Sequence, residues 1–293
     1  MEISEERDRL SISTKIFYLF GDIGISICLS AVAFFILFYY ADVAKVDPAL
    51  VGTALLLGKL WDAASNPLFG WISDRTKSRH GRRKVYLYYC SIPLGISFAL
   101  LWAMPEGLTG VMTTVWIIVT FLIYYTFDNI VGVSYYAMTP ELTRDYDERT
   151  SLTTFRMIGG TVGYMAGAAL PPFIAGLFAT GKIGWRMMGI MFAVFAVMCL
   201  YITAFGVKQR KELEGPPSKL PVLPSIITCF KNKPYVYLII QGLFTGISFV
   251  LVMSYMAFYL TYQLNMKDKI PIMMVLLLAT IGVFLFFWKW VTD

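Results

Sequence analysis

Apolar residues run through this chain in long blocks of helical length, with polar residues collected between them. Eight blocks lie near 16–40, 49–73, 85–104, 110–139, 153–179, 185–207, 235–263 and 270–290. A helix rises about 1.5 Å per residue, so each block can cross a hydrocarbon core, which takes about 20 residues. Backbone amides cannot go unpaired in lipid, so the blocks predict helices. The second block departs from the others. It carries Lys59, Asp62 and Asn66 through its middle and runs into Ser73-Asp74-Arg75-Thr76-Lys77-Ser78-Arg79-His80-Gly81-Arg82-Arg83-Lys84. A charge near the bilayer centre costs roughly 2.5–3.5 kcal/mol on insertion scales, so these side chains are expected to face a wet cavity and not lipid.

Composition agrees with the pattern: 57% hydrophobic and 15% charged residues are the proportions of a polytopic membrane protein, not of a soluble domain. The N-terminus, the 73–84 and 141–150 loops and the 208–233 segment hold most of the positive charge, including Arg7, Arg9, Arg82, Arg83, Arg144, Lys208, Arg210 and Lys211. The opposite loops hold Lys45, Lys182, Lys267 and Lys269, which predicts a cell-membrane protein with both termini in the cytoplasm. The net charge of +6 is then a topology signal. These basic loops lack the interleaved aromatics of a nucleic-acid surface, so no nucleic-acid partner is expected.

The first block follows a mixed-charge leader without a small-residue cleavage site, and reads as a retained helix. Cys28, Cys90, Cys199 and Cys229 show neither disulfide nor metal spacing and are expected to be packed thiols. His80, the one histidine, stands among arginines in a loop. With no nucleophile–base pair, metal-spaced cluster or phosphate loop, the chain is not expected to be an enzyme or to carry a cofactor.

From Lys208 to Lys233 the composition changes to a charged run followed by Gly215-Pro216-Pro217 and prolines at 221 and 224, a linker signature. It divides the chain into a six-helix bundle (1–207), a linker (208–233) and a partial second bundle of two helices (234–293). Carriers made of two six-helix halves have this order.

The stretch Trp61-Asp62-Ala63-Ala64-Ser65-Asn66-Pro67-Leu68-Phe69-Gly70-Trp71-Ile72-Ser73-Asp74-Arg75-Thr76 resembles the second helix and following loop of the glycoside-pentoside-hexuronide:cation symporters, the melibiose permease family within the major facilitator superfamily. Phe38-Tyr39-Tyr40-Ala41-Asp42, Tyr135-Tyr136-Ala137-Met138-Thr139-Pro140-Glu141-Leu142-Thr143 and Asp147-Glu148-Arg149-Thr150-Ser151-Leu152 carry the likeness further. The resemblance implies an all-α major facilitator fold of twelve helices. The chain would thus be a truncated product or fragment lacking helices nine to twelve, and inactive as a carrier by itself. Trp288-Lys289-Trp290 would begin the second-half copy of the 73–84 loop.

Lys59, Asp62 and Asn66 share one helix face by their spacing of three and four. The resemblance makes that face the coupling-cation site. Asn66 stands where the family usually has a second aspartate, and loss of that charged oxygen ligand favours protons over sodium. The rival reading is a Lys59–Asp62 ion pair that only holds helices together. For the solute, the resemblance points to Arg156, with Asp128 and Asp22 as acidic candidates. Asp128 lies one turn before Gly132, where the family's sugar-binding carboxylate would fall, and could instead partner Lys59 or Arg156. Arg156 could also snorkel to the membrane edge. Ser26 replaces an aspartate of melibiose permease itself, which argues against a melibiose-like ligand. Tyr125, with Tyr39, Tyr40, Tyr124 and Trp61, could offer rings to a pyranose, although an interfacial aromatic belt accounts for most of them. Asp74, Arg75, Gly81 and Arg82 resemble the superfamily's conformational loop motif, in which Asp74 would clasp a helix of the opposite half. Gly159, Gly163 and Gly167 form a stripe on which another helix can approach closely.

Two classes of function follow. The first is a monomeric cation-coupled symporter (H+ or Na+) for a sugar, glycoside or related small solute, or else for an amphipathic solute such as a lysolipid. The second is a non-transporting truncated or regulatory membrane protein.

Overall fold

A computed structural model of the chain describes residues 10–76, 78–79, 81–178, 181–208, 230–264, 266, 272–273, 276 and 280. The linker residues 209–229 with Cys229, the loop residues Lys77 and His80, the N-terminal Arg7 and Arg9, and nearly all of the eighth apolar block with its Trp288-Lys289-Trp290 end lie outside the described residues.

Seven long helices carry the described structure: α1 (Ile12–Phe38), α2 (Pro48–Arg75), α3 (Lys84–Leu101), α4 (Val111–Ala137), α5 (Tyr146–Leu177), α6 (Lys182–Gly206) and α7 (Lys233–Phe258). Their starts have local causes. Ser11 Oγ accepts from the Thr14 amide, Asp47 from the Ala49 amide with Pro48 at the first helical position, and Asp145 from the Glu148 amide. The Asp145 cap, followed by Asp147 and Glu148 in the first turn, begins α5 seven residues before the apolar block near 153.

Five helices among the described residues are long and apolar enough to cross a membrane: α1 with the turn that follows it, α3, α4, α5 and α6. The second block was expected to be a sixth. Its helix is 28 residues long, but Lys59, Asp62, Asn66, Asp74 and Arg75 leave it too polar to qualify by composition.

α1 lies at the centre of the bundle and packs on α5, α6 and α7, while α4 packs on α2 and α3, and α3 also meets α6. Exchanging the first three helices for the next three maps α1–α5 onto α4–α2 and α1–α6 onto α4–α3, and leaves α3–α6 unchanged. The pairing of the six helices thus follows the pattern of two three-helix repeats, with the α5–α6 contact as the main departure. The stripe of small residues fixes the tightest contact. A Cβ on Gly159, Gly163 or Gly167 would fall 2.5, 2.5 or 2.4 Å from the carbonyl oxygen of Leu19, Ile23 or Ile27, so α5 lies directly on the α1 backbone.

α1 and α7 end alike. Each closes in a π turn, Tyr39–Val43 and Tyr259–Gln263. In the first, the Ala44 and Val46 amides donate to the carbonyls of Tyr39 and Tyr40; in the second, those of Leu264 and Met266 donate to Tyr259 and Leu260. Phe38 and Phe258 meet edge to face at 5.6 Å, and Tyr262 Oη donates to Asp42 Oδ1 at 2.6 Å across a separation of 220 residues.

The aromatic-belt reading fails for three tyrosines. Tyr39, Tyr40 and Tyr124 are wholly buried, with the Tyr39 and Tyr40 hydroxyls donating to the carbonyls of Trp102 and Leu101. They pack with Phe98, Trp102 and Phe121 because the bundle core, not the lipid interface, offers the ring contacts.

Candidate functional site: two polar centres on one bundle

The first centre is built on α2 against α4. Lys59 Nζ lies 3.0 Å from Asp62 Oδ2, and Asn66 Nδ2 donates to Asp62 Oδ1 at 3.1 Å and to the Asp62 carbonyl at 2.9 Å. The three residues share one face, as their spacing requires. The Asp62 side chain keeps 23% of its surface and that of Lys59 51%, so both stand at an open edge of the bundle. The Lys59–Asp62 pair lies within one helix and cannot by itself tie two together. That work falls to residues the sequence did not single out. Asn129 Nδ2 on α4 donates to the Asp62 carbonyl and Ser65 Oγ, and Trp61 Nε1 donates to Thr126 Oγ1 at 2.8 Å. The Tyr125 ring is buried beneath this centre, with Lys59 Nζ 4.5 Å from its middle, so Lys59 and not a solute occupies that face.

The second centre joins α1, α4 and α5. Asp22 and Ser26 lie one turn apart and face Gly160, where a Cβ would come within 2.8 Å of Asp22 Oδ2 and 3.4 Å of Ser26 Oγ. Arg156, one turn before Gly160, sets its Nε 3.9 Å from Asp22 Oδ2. Tyr136 Oη donates to Asp22 Oδ1 at 3.0 Å, and its ring lies 5.0 Å from the Arg156 guanidinium carbon. Arg156 therefore turns inward to Asp22 and does not snorkel. Tyr136 was not among the expected site residues, although it lies in the Tyr135–Thr143 stretch that carried the resemblance; a tyrosine has no spacing signature of its own. A gap of 3.9 Å is wider than a hydrogen bond and narrow enough for one hydroxyl or water to bridge.

Asp128 was expected to contact solute, Lys59 or Arg156. It forms no hydrogen bond or ion pair with any described residue, and its Oδ1 is buried.

The α2–α3 loop builds a third cluster. Gly81 adopts φ +101°, a conformation open to glycine, and the turn brings Arg82 and Arg83 back over the end of α2. Arg83 reaches Asp74 Oδ1 at 2.8 Å, Glu141 Oε1 at 3.0 Å and the Ala137 carbonyl; Arg82 pairs with Glu141 and reaches the Asp74 carbonyl at 3.3 Å. Arg75 instead stacks on Trp71 at 3.9 Å. Asp74 thus has a partner within its own bundle, Arg83. Glu141, which ties the loop to the end of α4, was quoted in the sequence but given no role.

The sequence profile described as MFS/sugar transport protein matches residues 17–293. The chain belongs to that family. It is an integral, multi-pass membrane protein of a transporter family and not an enzyme. It is 25% identical to a sodium-dependent lysophosphatidylcholine symporter of Gallus gallus over 98% of this chain and 60% of that protein. Against an isoprimeverose transporter of Lactiplantibacillus pentosus it is 28% identical over 78% of this chain and 48% of that protein. The chain spans about half to three fifths of the length of these relatives. A solved bacterial homologue of the human drug peptide transporters PepT1 and PepT2 superposes on 94% of this chain and 53% of that one, with a TM-score of 0.51 and 16% identity, a likeness of fold.

Proposed function

We propose that the chain forms the N-terminal bundle and the start of the C-terminal bundle of a cation-coupled symporter for a small solute, working by alternating access in the cell membrane with its N-terminus in the cytoplasm. The observation that carries this reading is Asp62, a carboxylate at the middle of a membrane-length helix, held at an open edge by Lys59 and Asn66 while Asn129 bonds its backbone carbonyl. An intramembrane charge so costly has use as a cation site. Asn66 supplies a neutral amide where a second carboxylate would give sodium another charged ligand, which favours H+ as the coupling ion. The Asp22–Arg156–Tyr136 centre is the place for a solute hydroxyl or headgroup, since a planar guanidinium and a carboxylate together bind vicinal oxygens.

A sugar or glycoside is the proposed solute class. A lysolipid is the alternative, favoured by one observation: the lysophosphatidylcholine symporter aligns with 98% of this chain, the isoprimeverose transporter with 78%. Cells expressing the intact gene, offered a labelled glycoside or lysophosphatidylcholine under an imposed proton or sodium gradient, test both. Gradient-driven accumulation of one solute selects it, and accumulation of neither under either gradient counts against symport.

A further inference from the structure

A groove of about 980 Å³ runs between α3 and α6 on the outside of the bundle. Its walls include Ile92, Ile96 and Ala99 of α3 and Val194, Met198 and Phe205 of α6. Ile96, Val194, Met198 and Phe205 are exposed, while the floor is closed where the helices touch: a Cβ on Gly95 would fall 2.5 Å from Val197 Cγ2 and 3.3 Å from the Ala193 carbonyl oxygen. The hydroxyl of Tyr201 is turned aside to the Tyr88 carbonyl at 3.1 Å, which leaves the walls apolar. At a helical rise of 1.5 Å per residue the α6 wall from Ile190 to Phe205 is about 23 Å long, against roughly 15 Å for one leaflet of the hydrocarbon core. An acyl chain can therefore lie wholly within it. The second bundle begins elsewhere, since α7 packs on α1 and not on α3 or α6.

Each end of the groove has a cation, and they differ in commitment. Lys84 stands one turn before Tyr88 and two before Ile92 on the same face of α3. It is buried, and its Nζ donates to the Val207 carbonyl at 2.6 Å, so it closes the C-terminus of α6. Arg186 stands one turn before Ile190 on the lining face of α6. It is half-buried and forms no hydrogen bond or ion pair with any described residue. α6 is 25 residues long, about 37 Å, so it overhangs a core of roughly 30 Å by a few Å at each end. Arg186, about one turn inside its start, lies at the boundary of hydrocarbon and headgroups. We propose that the groove holds a phospholipid of the leaflet at that end, with one acyl chain along Val194 and Met198 and its phosphate on Arg186. The planar guanidinium takes two phosphate oxygens at once. Apolar walls alone would suit a second copy of the chain equally; the uncommitted guanidinium at their end favours an amphiphile with an anionic head. The site rests on the membrane placement of the chain and not on the symport reading.

The test is a lipid titration of the purified protein of the intact gene in detergent, read by native mass spectrometry. The probes are phosphatidylglycerol, a diacylglycerol with the same acyl chains, and glycerol phosphate, which has the head without the chains. Phosphatidylglycerol is expected to bind about 10-fold tighter than the diacylglycerol, a ratio that Arg186→Gln brings near one and Lys45→Gln, on another loop at the same end, leaves in place. Glycerol phosphate at the lipid's concentration is expected not to compete. Ile96→Trp, a substitution at an exposed wall position that fills the groove, is expected to lose both lipids, and it decides the matter if Arg186→Gln does not fold. Equal binding of the two lipids by the wild type, an unchanged ratio in Arg186→Gln, competition by glycerol phosphate, or undiminished lipid binding in Ile96→Trp would each overturn the proposal. A dimer dispersed by Ile96→Trp, in place of lipid adducts, would overturn it in favour of a second copy.

Discussion

Both oxygens of Asp62 are engaged within its own helix, Oδ2 by Lys59 and Oδ1 by Asn66. Each oxygen keeps a further lone-pair site, so a cation can reach this carboxylate beside them, and Lys59, exposed where Asn66 is half-buried, is the competitor freer to swing away. In the intact carrier Asp62→Asn is expected to abolish uphill uptake while leaving solute binding within a few-fold, measured by equilibrium dialysis beside gradient-driven uptake. Unchanged accumulation would assign Asp62 to structure. Asn66→Asp adds a second carboxylate one turn away and should make uptake sodium-stimulated. Sodium stimulation already present in the wild type, and unaltered by the change, would refute the preference for protons. At the other centre, Arg156→Lys loses the guanidinium fork facing Asp22. A charge-assisted hydrogen bond is worth roughly 1.5–3 kcal/mol, so solute affinity should fall about 10-fold to 100-fold, with an unchanged Kd as the contrary result. Lys59, Asp62 and Asn66 were legible in the sequence because intramembrane charge is expensive and periodicity puts them on one face. Asn129 and Tyr136 were not, since a neutral amide beside an aspartate and one tyrosine among eighteen announce nothing until a second helix is laid against them.

The helices themselves were legible wherever an apolar run is bounded by loops. α2 was the exception in apolarity, and α5 in its start, because a capping aspartate and two acidic residues extend a helix beyond its apolar core. Partner choice is a matter between helices. The glycine stripe announced a close approach, but that α1 is the partner became visible only with the carbonyls of Leu19, Ile23 and Ile27 beneath it. Gly163→Leu should therefore destabilise the bundle by about 1–3 kcal/mol or more, since the atom in the way is backbone and cannot give. A Cβ at Gly176 on the same helix meets nothing within 4 Å, so Gly176→Leu serves as the control. Thermal unfolding in detergent checks the pair: a lower Tm for the first alone is expected, and equal shifts would contradict the packing. The matched π turns of α1 and α7, and the Tyr262–Asp42 bond between them, could not be read from either end alone.

At the scale of the molecule, Asp62 lies on the α2–α4 pair and Asp22 with Arg156 on the α1–α5 pair, while α4 belongs to both centres. If the two centres hold ion and solute as proposed, that shared helix is a common mechanical element, and any effect of one on the affinity of the other is reciprocal. The exposed faces of α2 and α5 carry Leu56, Leu57, Leu60, Leu68, Met157, Ile158 and Val162, a surface that a second bundle would cover. Residues 1–293 reconstituted alone are accordingly expected to accumulate no solute against a gradient, and measured accumulation by them would overturn that view. The coupling of the two centres is the central claim, and uptake of labelled glycoside and of labelled lysophosphatidylcholine, in cells expressing the intact gene with and without a proton gradient, tests it most directly. The account predicts accumulation that collapses with the gradient and is lost in Asp62→Asn while solute binding survives; gradient-independent uptake, or gradient-driven uptake undiminished in Asp62→Asn, would contradict it.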